Sequence, residues 1–245
     1  MLKTLYFVSL VMYVLFVIGF LVVRVREGGV KALFLKTSAS LTFILSSIIA
    51  LSMSLDNYYY GIFIVVGLIF GLAGDIWLDL KFVHKDYDEP YTFAGMICFF
   101  IGHLFYIAGI LAAYPKIIPW QIALAFLGAV AVPIITRFID RKKDFNYGKF
   151  NALVFAYSVV TMFTVTLCLN VRNYFVFLPM LKGDETPESF WRFVLMAAGT
   201  VLFALSDLVL SHVYFLKGGN TSKNVVINHT LYFSAQFVLA LSILM

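Results

Sequence analysis

The sequence predicts an all-α, polytopic membrane protein in which eight transmembrane helices form a single domain over residues 1–245. Three observations predict it. Of the 245 residues, 62% are hydrophobic and 13% charged, whereas a soluble domain holds roughly 45–50% apolar and about 25% charged residues. The mean hydropathy of +0.95 means more apolar surface than one water-soluble core can hide, which excludes soluble, disordered, coiled-coil and collagen-like classes. Apolar runs of about 20 residues, the length that crosses a bilayer, recur along the chain, and the connections between them are too short for a soluble domain.

The runs follow in order. Leu5–Val23 and Thr37–Leu55 contain no Asp, Glu, Lys or Arg. The first is too long for a signal-peptide core and no small-residue cleavage site follows, so it is read as a helix. Gly61–Leu80 is apolar except for Asp75 and Asp79, and Thr92–Ala113 is apolar around His103. Ile117–Thr136 carries Pro119 near its start and Pro133 near its end. Phe150–Val171 follows, then Phe193–Leu216, interrupted by Asp207 and His212, and Val225–Met245 closes the chain.

Lys and Arg are unevenly distributed. The connections after spans 1, 3, 5 and 7 carry 13, and the termini with the remaining connections carry 5. The positive-inside rule therefore puts the odd connections in the cytoplasm and both termini outside. The net charge of +5 reads as topology and attraction to anionic lipid head groups, dominated by Arg137, Arg141, Lys142, Lys143 and Lys149. It implies no nucleic-acid partner. Cys98 and Cys168 both lie in apolar runs, with neither disulfide nor metal spacing, and behave as small hydrophobes.

An ionisable residue inside a span costs about 2.5–3.5 kcal/mol on insertion scales and is a functional candidate by default. Asp75 and Asp79 are one turn apart on one helical face, and Asp207 lies deep in the seventh run with Ser211 one turn on. Two deep aspartates, with no Lys or Arg expected at their depth, are hard to explain by structure alone. Asp79 and His212 sit near the boundary, where solvation explains them equally well. His103 fits a hydrogen-bonded core histidine or a site residue, and Tyr232 and Gln236 fit helix bridges or site residues. One cavity opening to the cytoplasm could contain them all.

Small residues support a tightly packed centre. Gly95, Gly102 and Gly109 recur every seven residues, and Gly67-x-x-x-Gly71 is followed by Gly74. Gly74-Asp75-Ile76-Trp77-Leu78 and Ser206-Asp207-Leu208-Val209-Leu210 share a small-Asp-x-x-Leu pattern. Asp75 precedes His103 by 28 residues and Asp207 precedes Gln236 by 29, which suggests a parallel 4+4 repeat with the aspartates opposite each other.

These motifs resemble the YhhN family of lysoplasmalogenases. The resemblance rests on Gly74-Asp75-x-x-Leu78, Phe99-x-x-Gly102-His103-Leu104-x-Tyr106, Phe203-x-x-Ser206-Asp207-x-x-Leu210 and Tyr232-x-x-Ala235-Gln236, in that order from about residue 65 onward. Lys36 is similar to the family's lysine opening the second span, with Thr37 where a proline is common. The resemblance implies a multi-pass hydrolase of the bacterial plasma membrane or the eukaryotic endoplasmic reticulum. Its substrate would be a lysophospholipid, the vinyl ether of a lysoplasmalogen, cleaved to fatty aldehyde and glycerophospho-alcohol. Asp75 and Asp207 carry over as catalytic residues.

The chemistry suits these residue types. Vinyl ether hydrolysis protonates a carbon–carbon double bond and captures an oxocarbenium ion with water, which needs an acid, a charge stabiliser and a base, as paired carboxylates supply in glycoside hydrolysis. His103, Tyr106, Tyr232 and Gln236 are candidates to orient water or glycerol, Lys36 to meet phosphate, and Asp79 to support the polar end. No metal or other cofactor is expected, because no HExxH, GxSxG, CxxC or P-loop pattern occurs. The rival class is a proton-coupled transporter or lipid translocator using the same Asp and His groups.

Overall fold

The computed structural model describes residues 1–54, 58–171 and 187–245. Leu55, the expected end of the second span, and Arg172 and Lys182, which enter the charge count, lie outside them. Among the described residues eight helices are long and apolar enough to cross a membrane, and the protein is a multi-pass helical membrane protein. They are α1 (Leu2–Arg26), α2 (Gly29–Met53), α3 (Tyr58–Val83), α4 (Asp88–Ala113), α5 (Pro119–Asp140), α6 (Asn151–Asn170), α7 (Pro187–Phe215) and α8 (Ser222–Leu241).

All the helices but α6 outrun their apolar sequences at one end or both, because backbone hydrogen bonding continues through polar flanks. The largest difference is at α2. Only Glu27 and Gly28 separate it from α1, and Gly28 takes a left-handed φ of 65°, which glycine adopts without steric cost. The helix therefore begins eight residues before the apolar run and carries Lys36 two turns inside. Pro119 opens α5 at a position where its missing N–H is no loss. Pro133 lies within α5, and its carbonyl accepts from Thr136 at 2.9 Å. Thr221 caps α8 by accepting from the Asn224 N–H at 3.2 Å.

Sequential helices pack in pairs, and contacts of α2 with α3, α4 with α6, α6 with α7 and α2 with α8 join the pairs. Side chains such as Phe7 and Leu15 of α1 and Leu127 and Phe138 of α5 remain exposed, as lipid-facing residues do. The α3–α4 contact is the closest approach. A Cβ built on Gly102 would stand 3.1 Å from the Gly67 carbonyl oxygen, and one on Gly74 would stand 2.6 Å from the Phe99 ring. A side chain at either position would push the helices apart or displace the Phe99 ring. At the end of the bundle bearing the odd, basic connections, the α5–α6 segment is tied to the end of α7. There the Asn146 N–H donates to the Phe215 carbonyl at 2.8 Å, and Phe145 and Leu216 form an isolated bridge.

Candidate active site

The site is built from the inner faces of α2, α3, α6, α7 and α8. Asp75 on α3 is 1% exposed. Its Oδ2 accepts from the Ser40 and Tyr232 hydroxyls, each at 2.7 Å, and its Oδ1 lies 3.2 Å from the Lys36 ammonium. Lys36 also reaches Asp79 at 3.1 Å, and Arg24, laid over the Phe82 ring, approaches the other Asp79 oxygen at 3.9 Å.

Two expectations are corrected here. Cations do reach the depth of the aspartates, because the early start of α2 lets the lysine stem extend along the helix with its ammonium among the carboxylates. Asp79 is not solvated either. It is 2% exposed, and Lys36 and Arg24 offset the cost of burying its charge.

Asp207 on α7 has different company. Its Oδ2 accepts from the Tyr157 hydroxyl at 2.7 Å and the Thr161 hydroxyl at 3.4 Å. Among the described residues no cation lies within ion-pair distance of it. Asp75 and Asp207 thus each accept a hydrogen bond from a tyrosine hydroxyl, and of these two only Asp75 has a cation beside it among the described residues.

The two aspartates meet at a small cavity of about 30 Å³, walled by Lys36, Asp75, Asp207, Asn228, His229 and Tyr232 among others. That is room for about two water molecules. Asn228 holds one wall by donating to the Ser206 carbonyl at 2.8 Å and the Ser206 hydroxyl at 3.0 Å. His229 donates to the Val225 carbonyl at 2.8 Å and packs on the Phe20 ring. A second cavity of about 340 Å³ runs between α4, α5, α6 and α7, lined by apolar residues such as Met96, Val154, Met162 and Val201, and Asp207 lies on its wall too. Asp207 therefore faces both spaces. A third, more open space of about 660 Å³ adjoins the second at Arg137, Asp140 and Tyr147. The Tyr147 hydroxyl donates to Asp140 at 2.6 Å. Burial, reinforced by that carboxylate, holds the phenol above its ordinary range and keeps it a donor.

The remaining sequence candidates stand behind this wall. The Tyr106 hydroxyl donates to Gln236 Oε1 at 3.0 Å, Gln236 Nε2 donates to the Tyr232 hydroxyl at 3.0 Å, and Tyr232 donates to Asp75. Three bonds thus point one way, toward the carboxylate, each polarising the next. His103 is apart from the cavity. Its Nδ1 pairs with the Thr164 hydroxyl at 3.1 Å, its ring sits among Tyr106, Tyr157 and Phe203, and its Nε2 has no partner among the described residues. His212 packs on Phe145 and bonds to the Leu208 carbonyl at 2.7 Å, remote from the aspartates' contacts.

Sequence reasoning missed Ser40, Arg24, Tyr157, Thr161 and Asn228. Three of these had a signal. Ser40 is one turn from Lys36 as Asp75 is from Asp79, so facing helices present matched pairs. Tyr157, Thr161 and Thr164 fall at i, i+4 and i+7, a hydroxyl stripe on one face of α6. Among the described residues no group of three or more His, Cys, Asp or Glu could hold a metal ion.

A family model, that of the YhhN family, matches residues 31–243, from within the first turns of α2 almost to the last residue. No curated protein and no solved structure matches the chain.

Proposed function

The chain belongs to the YhhN family, and from that premise we propose that it is a membrane-embedded hydrolase cleaving the vinyl ether bond of lysoplasmalogens. One observation supports this reading above the rest: two buried aspartates on different helices wall one cavity in unequal electrostatic surroundings. Asp75, paired with Lys36, is the ionised partner. Asp207, offered only hydroxyls, is cheapest to bury as the neutral acid. Like-sized carboxyls with opposite tasks are the requirement of this reaction.

Asp207 gives its proton to the outer carbon of the double bond, leaving an oxocarbenium ion on the ether carbon and a new carboxylate facing it. A water from the small cavity adds to that carbon while Asp75 takes its proton, giving a hemiacetal. The hemiacetal hydroxyl then returns a proton to Asp207 as the carbon–oxygen bond to glycerol breaks, and Asp75 protonates the departing oxygen. Fatty aldehyde and glycerophospho-alcohol result, and both aspartates regain their starting states. Ser40 and Tyr232 hold Asp75, and Tyr157 and Thr161 hold Asp207.

The test is mass spectrometry of purified protein incubated with a lysoplasmalogen. Stoichiometric fatty aldehyde and glycerophospho-alcohol are expected. An unchanged lipid, with the same protein moving lipid or protons across vesicles, would hand the site to the transporter reading.

A further inference from the structure

Resting on that hydrolase reading, we propose that Arg137 and Arg141 form the headgroup site of the enzyme, binding the phosphate of a lysophospholipid whose chain lies in the apolar cavity beside Asp207. Lys36, the lysine that sequence reasoning offered to the phosphate, is already shared between Asp75 and Asp79 at 3.2 and 3.1 Å. Arg24, Lys31, Lys81 and Lys149 each have a carboxylate within 4.0 Å as well.

Arg137 differs. Its guanidinium donates to the side-chain oxygen of Asn151 and, at 2.7 Å, to the Asn151 carbonyl, and it lies 4.0 Å over the Tyr147 ring. All these partners are neutral. Among the described residues, Arg137 and Arg141 have no carboxylate within ion-pair distance. The head of Arg137 is therefore aimed and held with its charge uncompensated, and a guanidinium has five N–H donors of which Asn151 occupies two.

Its position supplies the second argument. Arg137 and Arg141 place two guanidinium groups on the wall of the space of about 660 Å³, and Arg137 also lines the apolar cavity of about 340 Å³ whose wall includes Asp207. A charged mouth leading into an apolar space is the shape of a single-chain amphiphile. Along α6, Tyr157, which holds Asp207, is six residues below Asn151, which holds Arg137. That is a drop of roughly 9 Å at 1.5 Å per residue, comparable to the stretch from a phosphate through glycerol to the outer carbon of the vinyl ether. Asp140 lines the same mouth and is placed to meet the ammonium of a zwitterionic headgroup beside the phosphate.

The experiment measures binding, so that it stands apart from turnover. Full-length protein in nanodiscs is titrated with an alkyl-ether lysophosphoethanolamine, which has no vinyl ether to cleave, with the matching alkylglycerol, and with inorganic phosphate. Wild type should prefer the lysophospholipid to the alkylglycerol by about tenfold or more, as charge-assisted phosphate contacts do. Arg137→Gln and Arg141→Gln should each erode that preference and leave alkylglycerol affinity unchanged. Should Arg137→Gln fail to fold, Asn151→Asp keeps the shape and hydrogen bonds of the pair while cancelling the arginine charge, and it should erode the preference equally. Equal affinity for the two lipids overturns the site, and so does a preference untouched by all three variants. Inorganic phosphate binding as tightly as the lysophospholipid would reassign it to free phosphate. Headgroup-dependent binding without aldehyde release would refute the hydrolase and leave the site standing; aldehyde release without headgroup preference would do the reverse.

Discussion

The Lys36 ammonium stands 3.2 Å from the Asp75 carboxylate, inside the bundle and 4% exposed. A lysine two turns along α2 thus makes the two site aspartates electrostatically different, although each receives a tyrosine hydroxyl at 2.7 Å. Their tasks can differ for the same reason.

Asp75→Asn and Asp207→Asn keep side-chain size, so both variants should insert and fold. Each should lose aldehyde release by about 10²- to 10⁴-fold, the usual worth of a positioned acid or base. The double variant should be hardly worse than either single one, because groups acting as a unit are not additive. Near-wild-type turnover in either single variant would end the paired-carboxylate mechanism.

Lys36→Met should destabilise the protein by about 3–5 kcal/mol, because among the described residues it leaves buried Asp75 with no cation in ion-pair distance and buried Asp79 with Arg24 alone. Adding Asp79→Asn should recover part of that loss, a coupling that a double-mutant cycle of thermal stability in detergent will read. Strict additivity of the two changes would show that the ion pair is energetically idle.

The one-way hydrogen-bond chain predicts a gradient. Tyr232→Phe removes a bond to a charged acceptor, worth about 1.5–3 kcal/mol, whereas Tyr106→Phe removes a neutral one worth about 1 kcal/mol. Turnover should fall further in the first than in the second, with Gln236→Leu between them. His103→Gln, outside the cavity wall, should be milder than either aspartate change.

Gly67→Ala should destabilise by about 1–3 kcal/mol through overpacking, since its new methyl would collide with the Tyr106 ring. The same shift would draw Tyr106 from Gln236, so turnover should drop with stability. Gly218→Ala, where a Cβ meets nothing within 4 Å, serves as a comparison for added bulk, although its φ of 75° adds local strain.

The charge asymmetry predicts orientation. A reporter fused after Thr221 should read cytoplasmic. In a eukaryotic secretory membrane the exposed Asn220 sequon should remain unglycosylated, and glycan at that position would reverse the topology. Asn228 offers no such test, since it is 4% exposed within α8.

The fold was legible because its signal is additive: twenty apolar side chains in a row outweigh any local ambiguity. Asp75 and Asp207 were legible as charges out of place. Lys36 was legible as a residue but not as a partner, because its depth depends on where α2 begins, and that is decided by a two-residue connection rather than by hydropathy. Tyr157 and Thr161 were legible as a hydroxyl stripe along α6 but not as partners of Asp207. Hydroxyls are cheap in a helix, and nothing local marks the ones that face a carboxyl on another element.

Asp207 lines both the small polar cavity and the large apolar one, and that double exposure separates two supplies. A chain filling the larger space does not displace water from the smaller, so nucleophile and lipid do not compete for volume. Each added methylene should then lengthen residence by strengthening burial, about 0.8 kcal/mol at most, while the rate of bond cleavage stays level across chain lengths.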